Sequence, residues 1–244
     1  MIDLHCHLLP GVDDGAQSVS EAVALAQMAV ADGIEHMVLT PHLHPGRYDN
    51  SLLGLQPHFD AFKVALKEQN IPLSLSLACE VRLSAEVLQL AVANELPFIG
   101  EWNGYHVLLL ELPHSHIPPG SDKLVKWLLA RNIIPMIAHP ERNKDIVHNL
   151  DKVLPFVDLG CLFQVTAMSV TGEFGVPAHQ RAHEMLENNW VTVIATDAHN
   201  RQHRPPVLSK ARHLIEQMYG ADRAVSLFSG NPSDIVFHAS PEKV

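Results

Sequence analysis

The sequence predicts an α/β fold of repeated strand, loop and helix units that closes as a (β/α) barrel. Three observations carry this. About seven short apolar runs alternate with stretches of helical periodicity. The runs are continuously apolar rather than alternating, as in a parallel sheet covered by helices. Residues able to do chemistry follow nearly every run instead of gathering at one switch point, which favours a barrel over an open doubly wound sheet. The 244 residues suit one such unit, and no repeat or linker divides them, so residues 1–244 are expected to form a single domain.

The elements follow in order. Ile2–His5 is a short apolar start. Ser18 and Glu21 form a capping box, Ala22, Leu25, Ala26, Ala29 and Val30 then recur at helical spacing, and Asp32-Gly33 ends the helix. His36–Thr40 is a buried strand stopped by Pro41, Leu52–Gln69 a helix and Leu73–Cys79 a third strand. Ser84–Asn94 is helical and Val107–Leu112 is the fourth strand. Ser121–Arg131 is a helix, Ile133–Ala138 a strand, and a helical stretch lies around Asn149–Val157. Leu162–Thr166 is a strand, Pro177–Asn189 a helix and Val191–Thr196 the last strand, with helices at Val207–Tyr219 and Asp222–Phe228.

Composition narrows the function. Apolar residues make up 47% and charged residues 18%, enough for a core and against disorder. Lys and Arg number 17 against 27 Asp and Glu, a net charge of −10, and no basic run offers a surface to nucleic acid. Cys6, Cys79 and Cys161 are odd in number and scattered, which suits a reducing compartment. The opening MIDLHCH carries no secretory signal, and apolar stretches such as Val107–Leu110 are far too short to cross a membrane, so a cytoplasmic protein is expected. Histidine is in excess, with 17 spread along the chain.

Titratable residues fall at strand ends, where a (β/α) barrel builds its active site. They are His5-Cys6-His7 and Asp13-Asp14, His42 with His44 nearby, Glu80, Glu111, His139-Pro140-Glu141-Arg142, and Asp197-Ala198-His199. Taken singly each is ordinary. A lone His-x-His is more often incidental than a metal site, and a lone Glu after a strand is usually a salt-bridge partner. Together they are not, because burying many carboxylates and imidazoles at one end with no lysine to pair is unfavourable unless cations relieve it. His5 and His7 share one face of an extended segment while Cys6 points into packing. Nitrogen and oxygen donors without a thiolate suit manganese, iron or zinc. His36, His58, His148, His213 and His238 read as core or surface residues. His44, His114 and His116 lie in loops on the active face. Arg47 and Tyr48 are placed either at the pocket rim or in solvent.

The segments His5-Cys6-His7, Val12-Asp13-Asp14-Gly15, Thr40-Pro41-His42, Ala138-His139-Pro140-Glu141-Arg142 and Thr196-Asp197-Ala198-His199-Asn200 resemble the polymerase and histidinol phosphatase (PHP) superfamily. More narrowly, the chain is similar to the bacterial PHP-type protein-tyrosine phosphatases encoded with capsule or exopolysaccharide genes, from Met1 to about Pro232. The resemblance implies a distorted seven-stranded barrel, three divalent metal ions with manganese foremost and iron or zinc as alternatives, and a phosphate-ester substrate. It assigns His5, His7, Glu80 and Asp197 to a first metal. Glu80 would bridge to a second that also takes Glu111 and His139, and Asp14, in preference to Asp13, would hold the third with His42 and His199. The phosphate-binding arginine falls on Arg142, whose bland alternative is an ion pair with Glu141 or Glu111. A second falls on Arg204 or on its rival Arg201.

The implied reaction is hydrolysis of a phosphomonoester by a metal-bridging hydroxide, with Arg142 and Arg204 neutralising the phosphoryl oxygens. The implied substrate is a phosphotyrosine protein, a bacterial tyrosine kinase of capsule or exopolysaccharide export. No cysteine nucleophile is expected, since no cysteine sits in a Cys-x5-Arg loop, and no general acid is assigned. Two alternatives remain at this point: a small-molecule enzyme such as histidinol-phosphatase, which would want a more enclosed pocket, and a non-catalytic metal-binding PHP module.

Overall fold

The computed structural model describes residues 1–237, so the expectation for His238 lies outside the described residues. The described residues form ten strands: β1 (Ile2–Cys6), β2 (His36–Leu39), β3 (His42–Leu43), β4 (Ser74–Leu77), β5 (Glu80–Arg82), β6 (Gly100–Trp102), β7 (Tyr105–Glu111), β8 (Ile133–Ala138), β9 (Leu162–Thr166) and β10 (Val193–Ala195). One sheet runs β1-β2-β4. The other runs β10-β9-β8-β7-β5-β3, with β6 added antiparallel to β7 and every other pairing parallel.

The two sheets are joined by the chain itself. The expected strand ending at Thr40 is interrupted by Pro41, which has no N–H for a ladder, and pairing resumes as β3. The expected strand Leu73–Cys79 likewise breaks at Ala78-Cys79 and resumes as β5. His42 and Glu80 therefore open short strands and are direct register partners, where loops were expected. At the other side, Asp197 N–H donates to His5 O and His7 N–H to Ala198 O, each at 2.8 Å, and Cys6 bridges Ala198. The strand path thus returns from the segment after β10 to β1.

Side-chain alternation sorts each strand into two faces. Leu4, Val38, Ala78, Val107, Leu109, Met136, Leu162 and Val193 meet in one buried cluster, joined by Ile235 from the helix Asn231–Phe237. Met37, Leu39, Leu108, Leu110, Phe163, Val165 and Ile194 pack instead with helix residues such as Leu25, Phe62, Val125 and Met185. Counting by twos from the first set reaches Glu111, Gln164 and Asp197 at the far end of the same inner face. Val81 packs outward, which turns Glu80 and Arg82 inward.

The helices follow the expected order with shifted ends: Val19–Ala31, Leu52–Glu68, Glu86–Ala93, Ser121–Leu129, Val176–Glu187 and Ser209–Tyr219. Ser18 caps the first by accepting from Glu21 N–H, while the Glu21 carboxylate reaches Gln17 N–H one residue earlier than a standard box. The stretch expected around Asn149–Val157 is a tight turn at Leu150–Val153 followed by a helix at Leu154–Asp158. The expected final helix Asp222–Phe228 is Ala221–Val225, then a wider π-helical turn over Ser226–Gly230, then Asn231–Phe237. Short helices at Lys144–His148 and Ala167–Val170 were not expected, nor was the β6–β7 hairpin, turned by Asn103 and Gly104 at φ of 51° and 81°.

Candidate metal centre

β1 bears a bulge between Asp3 and Cys6, where the register to β2 gains one residue. The extra residue lets Leu4 stay in the inner cluster while His5 and His7 both face the site and Cys6 packs outward, fully buried. His139, the first residue after β8, and Asp197, the second after β10, both adopt left-handed backbone, with φ of 33° and 51°. Non-glycine residues hold that conformation only where the surroundings enforce it, and such positions concentrate at functional sites. Here it turns both side chains over the C-terminal ends of the strands.

These elements bring all nine expected ligands together in four overlapping sets of mutually close donor atoms: His7, Asp14, His42 and His199; His5, His7 and Glu80; His5, His139 and Asp197; His42, Glu80 and Glu111. His7 thus joins the expected third group, and His139 lies with His5 and Asp197 rather than with Glu111. Glu80 is central. Its Oε1 is 2.7 Å from His139 Nε2, and its Oε2 is 2.8 Å from His42 Nδ1, 3.4 Å from His7 Nε2 and 3.5 Å from His5 Nε2. Asp14 Oδ1 lies 3.3 Å from His42 Nε2 and 3.6 Å from His199 Nε2.

The donor set fits divalent cations on the hydrogen bonding alone. His7 Nδ1 donates to Asp13 Oδ2 at 2.7 Å and His199 Nδ1 to the Asp197 carbonyl at 3.0 Å, so each ring presents its Nε2 lone pair to the cluster. His5 Nε2 faces His7 Nε2 at 3.2 Å. Glu80 Oε2 and His199 Nε2 are buried without a hydrogen-bond partner. Converging lone pairs without protons between them are relieved by a shared cation. Burial favours the neutral form of His139, and the Arg142 charge adds to it, pushing the ring down to about 3. Burial opposes charge on His42 as well, but the Asp14 and Glu80 carboxylates outweigh it and lift the ring to about 9.

Two guanidinium groups converge on a single atom. Arg142 Nη2 donates to Asp197 Oδ2 at 2.7 Å, and Arg204 Nη2 donates to the same oxygen. Burial opposes ionisation of Asp197, yet Arg142, His5 and Arg204 hold its carboxyl well below the usual range. The Arg142 ion pair is therefore with Asp197, not with Glu141 or Glu111. Glu141 instead accepts from Thr166 N–H and Ser169 Oγ, fixing the Pro140–Arg142 turn. Arg142 also lies over the Phe174 ring at 5.1 Å. Arg201 is exposed on the loop before Arg204.

Arg82 and Gln164 escaped sequence reading, while Asp13 and Tyr48, already singled out, take specific roles. Asp13 orients His7, and its Oδ2 also accepts from His42 N–H. Arg82 pairs with Glu111 at 2.8 Å and is its register partner; the i, i+2 spacing from Glu80 was the available signal. Gln164 accepts from His5, and its signal was a polar residue inside an apolar strand. Tyr48 stacks on His42 with rings 12° apart, which puts it at the rim, beneath Arg47. His44, His114 and His116 belong to none of the four sets, and Cys6, Cys79 and Cys161 are buried away from them.

A family model for capsular polysaccharide synthesis, CpsB/CapC, matches residues 1–237. The chain is 32% identical over 222 residues to the tyrosine-protein phosphatase YwqE of Bacillus subtilis, covering 91% of this chain and 86% of that one. It is 34% identical over 210 residues to the putative tyrosine-protein phosphatase CapC of Staphylococcus aureus, covering 86% and 81%. A crystal structure from a study of YwqE and of CpsB from Streptococcus pneumoniae, described as metal-dependent tyrosine phosphatases, superposes with a TM-score of 0.90 at 31% identity, covering 98% of this chain and 96% of that one.

Proposed function

The chain belongs to the CpsB/CapC family of capsular polysaccharide synthesis, and on that premise we propose that it is a metal-dependent protein-tyrosine phosphatase. The observation that carries the reading is the convergence of Arg142 and Arg204 on Asp197 Oδ2 at the edge of the ligand cluster. An arriving phosphomonoester dianion offers the same two forks the charge and geometry they already bind. Residues 1–244 act as one catalytic unit in this reading, supported by a family match that spans nearly the whole chain.

Three divalent ions, manganese foremost with iron or zinc as alternatives, are proposed for the site. His5, His7, Glu80 and Asp197 would hold one, Glu80, Glu111 and His139 a second, and Asp14, His42 and His199 a third. Ions bound there supply Lewis-acid charge that activates water and offsets the phosphoryl oxygens. The chain's own residues do the rest. Glu80 and Asp197 would offer carboxylate oxygens to the ions, Asp13 keeps His7 in the tautomer that leaves Nε2 free, and the two arginines orient the phosphoryl group. Phe174 and Glu141 restrain Arg142 so that its fork is preorganised. A phenolate leaving group needs little protonation, so no general acid is assigned. Burial pushes the thiols of Cys79 and Cys161 well up, that of Cys161 to about 12, which supports a mechanism without a thiolate nucleophile.

The proposed substrate is a phosphotyrosine protein, a tyrosine kinase of polysaccharide export, met in the cytoplasm. Metal-stripped protein resupplied with manganese should hydrolyse a phosphotyrosine peptide far faster than histidinol phosphate. The opposite preference would move the protein to small-molecule metabolism, and inactivity on both with metal bound would favour a binding module.

A further inference from the structure

β9 contributes none of the nine candidate ligands, yet it carries Gln164, fully buried between Phe163 and Val165. The Gln164 Oε1 lies 2.8 Å from His5 Nδ1 and 3.3 Å from the backbone N of His139. An amide facing an imidazole leaves two assignments open, because the amide can flip and the ring proton can sit on either nitrogen. The backbone N–H of His139 removes that freedom. It can only donate, so the amide atom beside it is the carbonyl oxygen. That oxygen can only accept from His5, so Nδ1 carries the ring proton. His5 Nε2 is left with a lone pair aimed between Asp197 Oδ1 and Glu80 Oε2, at 3.4 and 3.5 Å.

The same acceptor grips His139 where its backbone is left-handed, the conformation that turns its imidazole onto Glu80. Packing alone does not explain the residue. Its Nε2 is buried without a partner, a cost that a methionine of equal length would avoid. The benefit that offsets it is at Oε1.

We propose that Gln164 is a positioning residue whose single carbonyl oxygen sets the tautomer of His5 and anchors the turn that aims His139, registering the two imidazoles to each other before any cation binds. The metal-binding part rests on the functional reading above, whereas the tautomer does not.

The test compares the full-length wild type with Gln164→Met, which removes the acceptor, and Gln164→Glu, which keeps it. In metal-free protein, at a pH high enough to leave the ring neutral, 15N spectra should show His5 protonated at Nδ1 in the wild type and in Gln164→Glu. Gln164→Met should show a mixture of tautomers. Manganese or zinc affinity, read by competition dialysis, should fall roughly 10–100-fold in Gln164→Met and return towards wild type in Gln164→Glu. A Gln164→Met protein with wild-type tautomer and affinity overturns the proposal. Where that variant does not fold, Gln164→Glu decides: persistence of the Nδ1 proton supports the proposal, and its transfer to Nε2 overturns it. Wild-type protein that binds neither ion but keeps the Nδ1 proton would remove the functional reading while supporting the tautomer assignment.

Discussion

Arg142 and Asp197 meet across 55 residues of sequence, with Nη2 of one 2.7 Å from Oδ2 of the other. The two carboxylate oxygens of Asp197 have different neighbours. Oδ1 lies 3.4 Å from both His5 Nε2 and His7 Nε2, whereas Oδ2 is held by guanidinium donors. One side chain therefore joins the proposed metal-binding and phosphate-binding halves of the site.

Removing a guanidinium should separate those halves. Arg142→Ala and Arg204→Ala should each keep bound metal and lose about 10²–10³ in kcat, the range for deleting one preorganised charge-stabilising donor. Arg142→Lys should recover little, because a single ammonium cannot reproduce the planar fork. Arg201→Ala should stay near wild type, since its side chain is exposed and not paired with Asp197. Steady-state kinetics beside elemental analysis checks this, and wild-type turnover in Arg142→Ala would return that arginine to a structural ion pair.

Loss of a shared ligand should behave differently. Glu80 faces four imidazoles and belongs to two of the proposed ion sites, so Glu80→Ala should lose bound metal and turnover together. His139→Ala should do the same for at least one ion. Full metal content and activity in His139→Ala would disprove its assignment as a ligand.

Much of the site was legible because strand ends and short motifs place it. Helix caps, strand order and the His-x-His face follow from local periodicity. What escaped depends on cross-strand geometry. The split at Pro41 is a sequence signal, but the return of pairing at His42 opposite Glu80 is a matter of register between distant segments. Arg82 drew no reading from the sequence, because its partner Glu111 is met only across the ladder. The left-handed turns at His139 and Asp197 have no glycine to announce them. Asn103-Gly104 was readable as a hairpin turn, since both residues of that turn need positive φ and this pair supplies it, but the flanking strand Gly100–Trp102 is too short to show periodicity.

Gly15 should not tolerate a side chain. A Cβ there would lie 1.9 Å from the carbonyl oxygen of His7, whose backbone also accepts from Ala16 N–H. Gly15→Ala must push apart the first strand end and the Asp13–Asp14 loop, so about 1–3 kcal/mol of destabilisation and weakened metal binding are expected. Thermal melts with and without manganese check this; an unchanged melting temperature in both would show that the loop moves freely.

Asp3 makes a prediction about pH. Its carboxylate is fully buried and accepts from Thr196 N–H, Thr196 Oγ and His5 N–H. Burial nonetheless dominates and raises it from 3.8 to about 6. An acid with a raised folded-state value favours folding when protonated, so its contribution is fully present below about pH 4 and is lost as pH rises through about 6. Asparagine stays neutral throughout, and its carbonyl can keep both backbone bonds while its amide donates to the Thr196 hydroxyl. Asp3→Asn should therefore gain stability relative to wild type between pH 4 and 6, by about 3 kcal/mol at roughly 1.4 kcal/mol per unit. Urea melts of metal-free protein across that window measure the difference directly. A constant offset between the two proteins would mean that Asp3 ionises as easily inside the fold as in the unfolded chain.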